Sequence, residues 1–356
     1  MQNYALSLLF TLLGLFSAVV QAAQVADKDF HPQVATPAFS KGSGPVVAVD
    51  AAHANFHTCE GRYIAFCELL GNDGYSVKTN NDPFSMENLN TIDLLVIANA
   101  LNKKNIDPKQ NWGTPILPAF TEKETQNLVN WVKSGGALLV IADHMPFPGA
   151  VSDLGLKFGV NWGNSYAFAA DTQIVEAAKK NTLSVIKGPD ANMMTFDLKG
   201  FNSTGVRAYP HPIFHGRNPT ENVPFITTFT GSAFTLLPGS QVNPLMGLGE
   251  GTLLMFPLKS QEQSLMTPRG PGAGTLQGGV LEFGKGRVAL MGEASMFSAQ
   301  IADYISPGFK MGMNNTEHAS HNVQFALNLT HWLTKINNCL IHLSGRLRHE
   351  KKSECK

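Results

Sequence analysis

Residues 135–149 read Gly-Gly-Ala-Leu-Leu-Val-Ile-Ala-Asp-His-Met-Pro-Phe-Pro-Gly. A Gly-Gly break leads into a continuous apolar run, which is typical of a strand that is buried on both faces of a sheet. The run ends at Asp143 and His144, which are followed by a turn rich in proline and glycine. Open α/β sheets bind their ligands where such strands end. The stretch therefore predicts a central strand with a candidate site at its carboxyl end.

Three further apolar runs also end in polar residues, namely Asp50, Asn99 and Glu293. Between the runs lie helical patterns, such as residues 60–72 and the helix that begins with an N-cap at Thr121 and has Glu124 at its third position. Strand and helix alternate, so we predict an α/β fold with a doubly wound, mainly parallel sheet.

The rest of the chain divides into segments of different character. Proline, glycine and short apolar runs between residues 161 and 276 indicate a β-rich insertion, and a Gly-Lys-Gly turn near residue 285 indicates a hairpin. The expected organisation is a signal peptide at 1–22, a linker or N-terminal arm at 23–44, one α/β domain at 45–335 with the insertion at about 161–276 and a C-terminal hairpin plus helix, and a polar tail at 336–356.

The first residues are typical of a secretory signal peptide. An apolar stretch at residues 5–20 precedes Gln21-Ala22-Ala23, and cleavage after Ala22 would leave small residues at the peptidase site. The alternative is an uncleaved anchor helix, for which the apolar stretch is short. We expect a secreted or periplasmic protein without an integral membrane span after cleavage.

Composition excludes one class of partner. The chain has 356 residues, of which 43% are hydrophobic and 15% charged, no net formal charge, and a pI near 7.2. A nucleic-acid-binding protein carries a basic surface that neutralises phosphates, and this balance offers none. We expect a small molecule, a glycan or a peptide as ligand.

Four cysteines remain after export: Cys59, Cys67, Cys339 and Cys355. The first two fall in one predicted helix, about 12 Å apart at 1.5 Å per residue, which is too far for a mutual disulfide. Pairing across the chain stays open. The chain contains no C-x-x-C and no Cys/His spacing typical of zinc sites.

The four polar strand ends define the candidate site, because the carboxyl ends of parallel strands lie at one edge of a sheet. We expect Asp143, His144, Glu293 and His321 to be catalytic. The expected substrate-binding residues are Asn55, His57, Arg62, Asn99, Asn314 and Asn322. Asp50, His53 and Asp143 are the candidate ligands of a divalent metal, since acids and histidines gathered in this way bind such ions.

Each group also has a purely structural interpretation. Asp50 and Glu293 could cap the segments that follow them, and Asp143 with His144 could support a tight turn. The histidines near residue 320 could form hydrogen bonds at the start of a helix. Nucleophile motifs are missing: residues 292–296 do not form G-x-S-x-G, and the glycine-rich stretch at 270–274 contains proline where a phosphate loop needs N–H donors.

The order of these motifs resembles a bacterial family of exported domains of unknown function. The resemblance rests on the strand and loop at 46–57, Gly61-Arg62-Tyr63, the strands at 95–99 and 135–143, and the segments 284–288 and 328–333. That family belongs to the class I glutamine amidotransferase-like superfamily, which also includes gliding-motility and intraflagellar-transport domains. The resemblance implies a flavodoxin-like sheet.

Active amidotransferases carry a cysteine on the elbow after a central strand, and here Asp143 and His144 stand at that strand end. The resemblance therefore implies a pocket with other chemistry or one that has kept only binding. Our leading hypothesis is an exported, enzyme-like protein, a metal-assisted hydrolase. The alternatives are a non-catalytic glycan-, peptide- or protein-binding module of the cell envelope, and a structural envelope protein without a small-molecule pocket.

Overall fold

The computed structural model describes residues 24–169, 193–203, 205–264 and 266–336. The predicted signal peptide, nearly all of the predicted tail, Cys339 and Cys355 lie outside the described residues. The helices are α1 (Ile64–Asn72), α2 (Met86–Leu89), α3 (Glu122–Ser134), α4 (Phe147–Lys157) and α5 (Asn322–Leu333). Short 3₁₀ helices are Lys103–Asn105, Pro212–Phe214, Pro219–Glu221 and Ser295–Phe297.

The described strands, in chain order, are β1 (Gln24–Ala26), β2 (Val46–Asp50), β3 (Ser76–Asn80), β4 (Leu94–Ala98), β5 (Ala137–Ile141), β6 (Val160–Trp162), β7 (Tyr166–Ala169), β8 (Met193–Asp197), β9 (Val206–Ala208), β10 (Phe225–Phe229), β11 (Phe234–Leu236), β12 (Asn243–Leu248), β13 (Thr252–Met255), β14 (Arg269–Pro271), β15 (Leu276–Phe283), β16 (Gly286–Met291), β17 (Ala299–Ala302) and β18 (Lys310–Gly312).

The central sheet is mixed, and its core strands are parallel, as the predicted α/β class requires. Its order is β3-β2-β4-β5-β16-β15-β11-β6, with β12 and β9 attached beside β15. Strands β3, β2, β4, β5 and β16 are mutually parallel. The predicted hairpin is present as the antiparallel pair β15–β16. The polar ends of β2, β4, β5 and β16 therefore lie at one edge.

Both faces of the parallel strands are buried. Along β5, Leu139 and Ile141 belong to one hydrophobic cluster, and Leu138 and Val140 belong to the other. Helices α1 and α5 cover the first face, whereas α3 and α4 cover the second. The continuous apolar runs in the sequence reflect this double coverage, since alternate residues pack in opposite directions.

Helix α3 begins as predicted and delivers the chain to β5. The Thr121 hydroxyl accepts a hydrogen bond from the Glu124 N–H, and the Glu124 side chain accepts one from the Thr121 N–H. The helix ends at Gly135, whose φ of 130° lies in the region that favours glycine. A Cβ at Gly136 would lie 2.2 Å from the Trp131 ring, so only glycine fits between helix and strand.

The segments outside the parallel core pack around it. Strand β1 lies in the predicted linker and pairs antiparallel with β17. The predicted insertion adds β11 and β12 to the central sheet, and it also forms the pairs β10–β8 and β7–β13–β14. In the part of the chain that the structure describes, no helix has both the length and the apolar character needed to cross a bilayer.

The predicted separation of Cys59 and Cys67 is wrong. The two residues form a disulfide, with a Cα–Cα distance of 5.6 Å. The error arose because the helix begins at Ile64 and not near residue 60. Residues 58–63 form turns instead, in which the N–H groups of Gly61 and Tyr63 donate to the Thr58 carbonyl. The turns bring the two sulfur atoms within bonding distance, whereas a continuous helix through both cysteines would keep them apart.

Candidate functional site

A cavity of about 630 Å³ opens at the carboxyl edge of the parallel strands. Its wall contains five of the residues singled out from the sequence. The others come from β1, the loop after β2, the loop before α3, the start of α4, the insertion, the 3₁₀ helix after β16 and the turn after β17. The five predicted residues that line it are His57, Arg62, Asn99, Asp143 and His144. We call this space the strand-end cavity.

Asp143 and His144 follow β5 directly and are held by backbone groups. Asp143 is 6% exposed; its Oδ1 accepts a hydrogen bond of 2.7 Å from the His144 N–H, and its Oδ2 accepts one of 3.4 Å from the Ala294 N–H. His144 Nδ1 lies 2.8 Å from the Met145 carbonyl, which can only accept, so Nδ1 carries the proton. His144 Nε2 is therefore an acceptor, and the ring stacks on Tyr166 at 4.5 Å.

Burial governs the two carboxyl groups at the neighbouring strand ends. It raises the pKa of Asp143, against the lowering effect of His144, of two backbone N–H donors and of Arg62. Burial and then the charge of Asp143 raise the pKa of Glu293 well above its ordinary value. Like charges this close disfavour joint ionisation, so at least one of the two groups holds its proton more strongly than a free carboxyl group.

Asn99 connects the end of β4 to His57. Its φ of 51° is positive, and its side chain bonds to the residue after β5 and to the loop after β2. Asn99 Oδ1 accepts from the Asp143 N–H at 2.9 Å, so Nδ2 is the atom 3.1 Å from His57 Nδ1. Nδ2 donates and His57 Nδ1 accepts, which places the His57 proton on Nε2. Among the described residues, this buried Nε2 has no hydrogen-bond partner.

Arg62 supplies a positive charge to the cavity wall. Its guanidinium lies 4.5 Å above the Phe56 ring and donates to the Gln24 carbonyl at 3.3 Å. Burial lowers the pKa of Arg62, while Tyr304 and Asp143 act in the opposite direction. No ion pair within 4.0 Å joins it to a carboxylate of the described chain.

Asp50 and His53 belong to a different cluster, which we call the buried network. His53 Nδ1 lies 2.9 Å from Asp50 Oδ2, and Nε2 lies 3.0 Å from Glu124 Oε1. Asn80 donates to the other Asp50 oxygen at 3.1 Å. The side chain of Asn55, a predicted substrate-binding residue, accepts from the His53 N–H at 3.1 Å and does not line the cavity.

Four other predicted residues are also engaged away from the cavity. Both Glu293 oxygens accept backbone N–H groups, those of Ser295 at 2.6 Å and Met296 at 2.8 Å, so this side chain caps the following turn. The remaining three tie the C-terminal segment to the insertion and to the N-terminal strand. They are His321, which packs edge-on against Phe225, Asn322, which bonds the backbone of Thr227, and Asn314, which donates to Asp27 and to the Gln300 carbonyl.

The structure does not gather the three predicted metal ligands. Asp50 and His53 bond to each other, whereas Asp143 faces the strand-end cavity. Within residues 24–336, as far as they are described, no three His, Cys, Asp or Glu side chains form a group that could hold a metal ion. The strand ends lie at one edge, but the loop after β2 turns His53 toward α3 and away from Asp143.

The cavity also contains residues that the sequence did not indicate. Tyr166 and Tyr304 come from β7 and from the turn after β17, and Trp112 comes from the loop between β4 and α3. Tyr304 is 56% exposed as a whole, but partial desolvation of its hydroxyl, assisted by Asp143, raises its pKa to about 12. Only the loop carried a usable signal: long connections without helix or strand are often functional. The tyrosines lie outside any βα unit, where no pattern marks them.

No family model matches the sequence, and no curated protein does. Among solved structures, the chain is similar to the mmIFT52 N-terminal domain, with 14% identity, 81% of this chain and 97% of that chain covered, and a TM-score of 0.48. A protein described as ThuA-like from Bacteroides uniformis shows 10% identity, coverage of 85% and 94%, and a TM-score of 0.39. An exo-β-1,4-mannosidase from an Opitutaceae bacterium shows 10% identity, coverage of 86% and 37%, and a TM-score of 0.33.

Each TM-score is below 0.5, so these similarities carry no information about the chemistry of the cavity.

Proposed function

We propose that the strand-end cavity is the active site of a hydrolase that acts on a small polar molecule, with Asp143 as general acid and His144 as general base. One observation carries the proposal. A buried carboxyl group with a raised pKa and an imidazole with an acceptor nitrogen are adjacent in the chain and line the same cavity. Acid–base sites typically contain two titratable groups in one cleft, one that holds a proton and one that can accept a proton.

The proposed step consumes one water molecule. His144 Nε2 takes a proton from the water, whose oxygen bonds to the electrophilic atom of the substrate. The bond to the leaving group breaks, and the Asp143 carboxyl group gives its proton to that group. The imidazolium and the carboxylate then exchange the proton through solvent, and both residues return to their starting states.

A panel of ester, phosphate and glycoside substrates tests this proposal. We expect turnover of one class, and we expect Asp143→Asn and His144→Ala to abolish most of it. Asp153→Asn on the exposed side of α4 and His215→Ala on the surface are matched controls that keep the activity. Equal turnover in Asp143→Asn and the Asp153→Asn control would overturn the proposed roles.

A non-catalytic binding module is the second candidate. It is favoured by the aromatic side of the cavity, where Phe56, Trp112 and Phe147 pack with ring centroids 5.5 to 5.9 Å apart. Aromatic faces beside amide side chains such as Gln110 and Gln261 suit a glycan or a peptide. Calorimetric binding of glycans or peptides without turnover on the panel would support this candidate.

We infer further that the domain is flavodoxin-like and doubly wound. Numbered from β2, the five parallel strands follow the order 2-1-3-4-5, and helices cover both faces of the sheet. We also propose membership of the bacterial exported family named above. The Cys59–Cys67 disulfide supports an oxidising compartment. Mass spectrometry of the exported chain tests this: loss of residues 1–22 is expected, and retained Met1 would contradict it.

A further inference from the structure

We propose that the strand-end cavity contains an oxyanion subsite, formed by His57 Nε2–H, the Arg62 guanidinium and Trp112 Nε1–H, which binds a carboxylate, phosphate or sulfate group of the ligand. The subsite rests on the proposed function only in using the same cavity. All three residues line the cavity: His57 and Arg62 lie on the loop between β2 and α1, and Trp112 lies on the loop between β4 and α3. The Arg62 guanidinium and the rings of His57 and Trp112 lie 4.5, 6.1 and 5.9 Å from the centre of the Phe56 ring.

His57 presents a donor whose proton position is fixed by geometry. The Asp143 N–H orients the Asn99 amide, and the amide donates to His57 Nδ1, so Nε2 must carry hydrogen. Burial, followed by the charge of Arg62 and by the charge that His144 carries when it is protonated, holds the pKa of His57 well below its ordinary value, so the ring stays neutral. The side chain is 3% exposed, so this N–H is shielded from solvent and has no acceptor, which is an unfavourable state that a ligand oxygen can relieve.

Trp112 adds a second buried donor without an acceptor. The side chain is 6% exposed, and its Nε1 has no hydrogen-bond partner in the described part of the chain. The residue lies on the wall between the strand-end cavity and a smaller cavity of about 540 Å³. Indole nitrogen only donates, so a ligand atom that satisfies it must be an acceptor.

Charge decides which acceptor suits the subsite. Arg62 and Lys109 line the cavity with positive charge, and Asp143 is the one acidic residue of the described wall. A hydroxyl group also donates a hydrogen bond, and the three groups of the subsite provide no acceptor for it. An oxyanion accepts from all three groups and gains charge-assisted bonds to the guanidinium. Burial favours the neutral form of Asp143, which reduces repulsion of an anion.

Nuclear magnetic resonance tests the subsite without any turnover. The chain has four tryptophans, and Trp112→Phe identifies the indole N–H signal of Trp112. Sodium acetate, phosphate and sulfate are titrated separately against sodium chloride at constant ionic strength. We expect the Trp112 signal to shift and saturate with at least one oxyanion and not with chloride. The anion with the lowest Kd then names the group that the ligand carries.

Arg62→Gln should raise the Kd of that anion at least about tenfold, since it removes a charge-assisted hydrogen bond. Arg207→Gln is the matched control, because Arg207 also lies over aromatic rings, 4.4 Å from that of Tyr209, but outside the cavity. An unchanged Kd in Arg62→Gln, or no saturable shift in the wild-type protein, would overturn the subsite.

The two proposals fail separately. Asp143→Asn and His144→Ala should retain anion binding even where turnover is lost. Saturable, Arg62-dependent binding without turnover would refute the hydrolase and keep the subsite. Turnover of a neutral substrate without anion binding would refute the subsite and keep the hydrolase.

Discussion

The buried network and the strand-end cavity both follow parallel strands, yet they differ in how far their hydrogen bonds are satisfied. In the network, both ring nitrogens of His53 face carboxylates, those of Asp50 and Glu124. In the cavity, His57 Nε2 is buried without a partner. Satisfied buried groups stabilise a fold, whereas an unsatisfied donor is a cost that a ligand can remove. A polar residue at a strand end therefore does not by itself identify a site, whereas an unsatisfied buried donor on a residue that lines a cavity supports one.

The two clusters share one loop. Residues 51–63 carry His53 toward α3 and then His57 and Arg62 toward the cavity, and the disulfide from Cys59 joins the end of this loop to α1. Substitutions in the buried network can therefore be compared with substitutions in the strand-end cavity within one short segment of the chain.

The largest effect is expected in the buried network. Asp50→Ala leaves the His53 Nδ1–H buried without its acceptor, and the Asn80 amide keeps only its hydrogen bond to the Asp82 carbonyl. Breaking a buried charged pair costs about 3 to 5 kcal/mol of the free energy of unfolding, measured by urea denaturation. The exposed Asp82→Ala is the control and should change it by less than about 0.5 kcal/mol. A loss below about 1 kcal/mol in Asp50→Ala would mean that the network does not stabilise the fold.

The cavity should show the opposite pattern. Asp143→Asn is expected to lower kcat/KM about 100-fold, which corresponds to about 2.7 kcal/mol of transition-state stabilisation. The asparagine amide still accepts the His144 N–H, so the free energy of unfolding should change by less than about 1 kcal/mol. A large loss of stability with normal kcat/KM would place Asp143 with the structural group.

Much of the fold could be predicted because local patterns determine it. The apolar runs of β4 and β5 predict strands that are covered on both faces, and the Thr121 capping box predicts the start of α3. The Cys59–Cys67 disulfide could not be predicted, because the residues at 58–63 are compatible with either turns or a helix. The distance between the two cysteines depends on where α1 begins.

The site was predicted most directly where the sheet itself positions a residue, although His57 and Arg62 of the loop before α1 also line the cavity as predicted. Asn99 and Asp143 follow adjacent strands and line the cavity, as the edge argument requires. The direction of His53 depends on Glu124, which lies 71 residues away, and Asn322 is taken by the backbone of Thr227. These side-chain orientations are determined by contacts between segments that are far apart in the chain, and the spacing of residues in the sequence does not reveal them.

The disulfide links the two clusters, and its removal should affect both. The double variant Cys59→Ser with Cys67→Ser frees a short loop, and the chain-entropy estimate gives a loss of about 2 to 3 kcal/mol in the free energy of unfolding. We expect weaker oxyanion binding as well, because His57 and Arg62 lie in or beside this loop. Urea denaturation and the Trp112 signal measure the two effects. Normal binding in a destabilised variant would show that the loop is positioned by its hydrogen bonds alone.

The smallest effect concerns pH, and it has opposite signs in the two clusters. Burial lowers the pKa of His53, but hydrogen bonds and charges from Asp50 and then Glu124 outweigh it, so the pKa is raised above 6.5. The stabilisation from His53 is complete below pH 6.5 and is lost as the pH rises through the raised value. Burial lowers the pKa of His57, so its folded form resists protonation and stability is lost as the pH falls below 6.5.

Urea denaturation of the wild type, His53→Gln and His57→Gln from about pH 5 to pH 8 separates these contributions, because histidine titrates in this range. The difference between wild type and His53→Gln should shrink as the pH rises. The difference between wild type and His57→Gln should shift in favour of the variant as the pH falls. A saturating oxyanion should stabilise the wild type without changing the His53 difference, since the buried network does not line the cavity. Parallel curves for the two variants would contradict the distinction between a satisfied cluster and an unsatisfied one, because partner carboxylates raise the pKa of His53 whereas burial lowers that of His57.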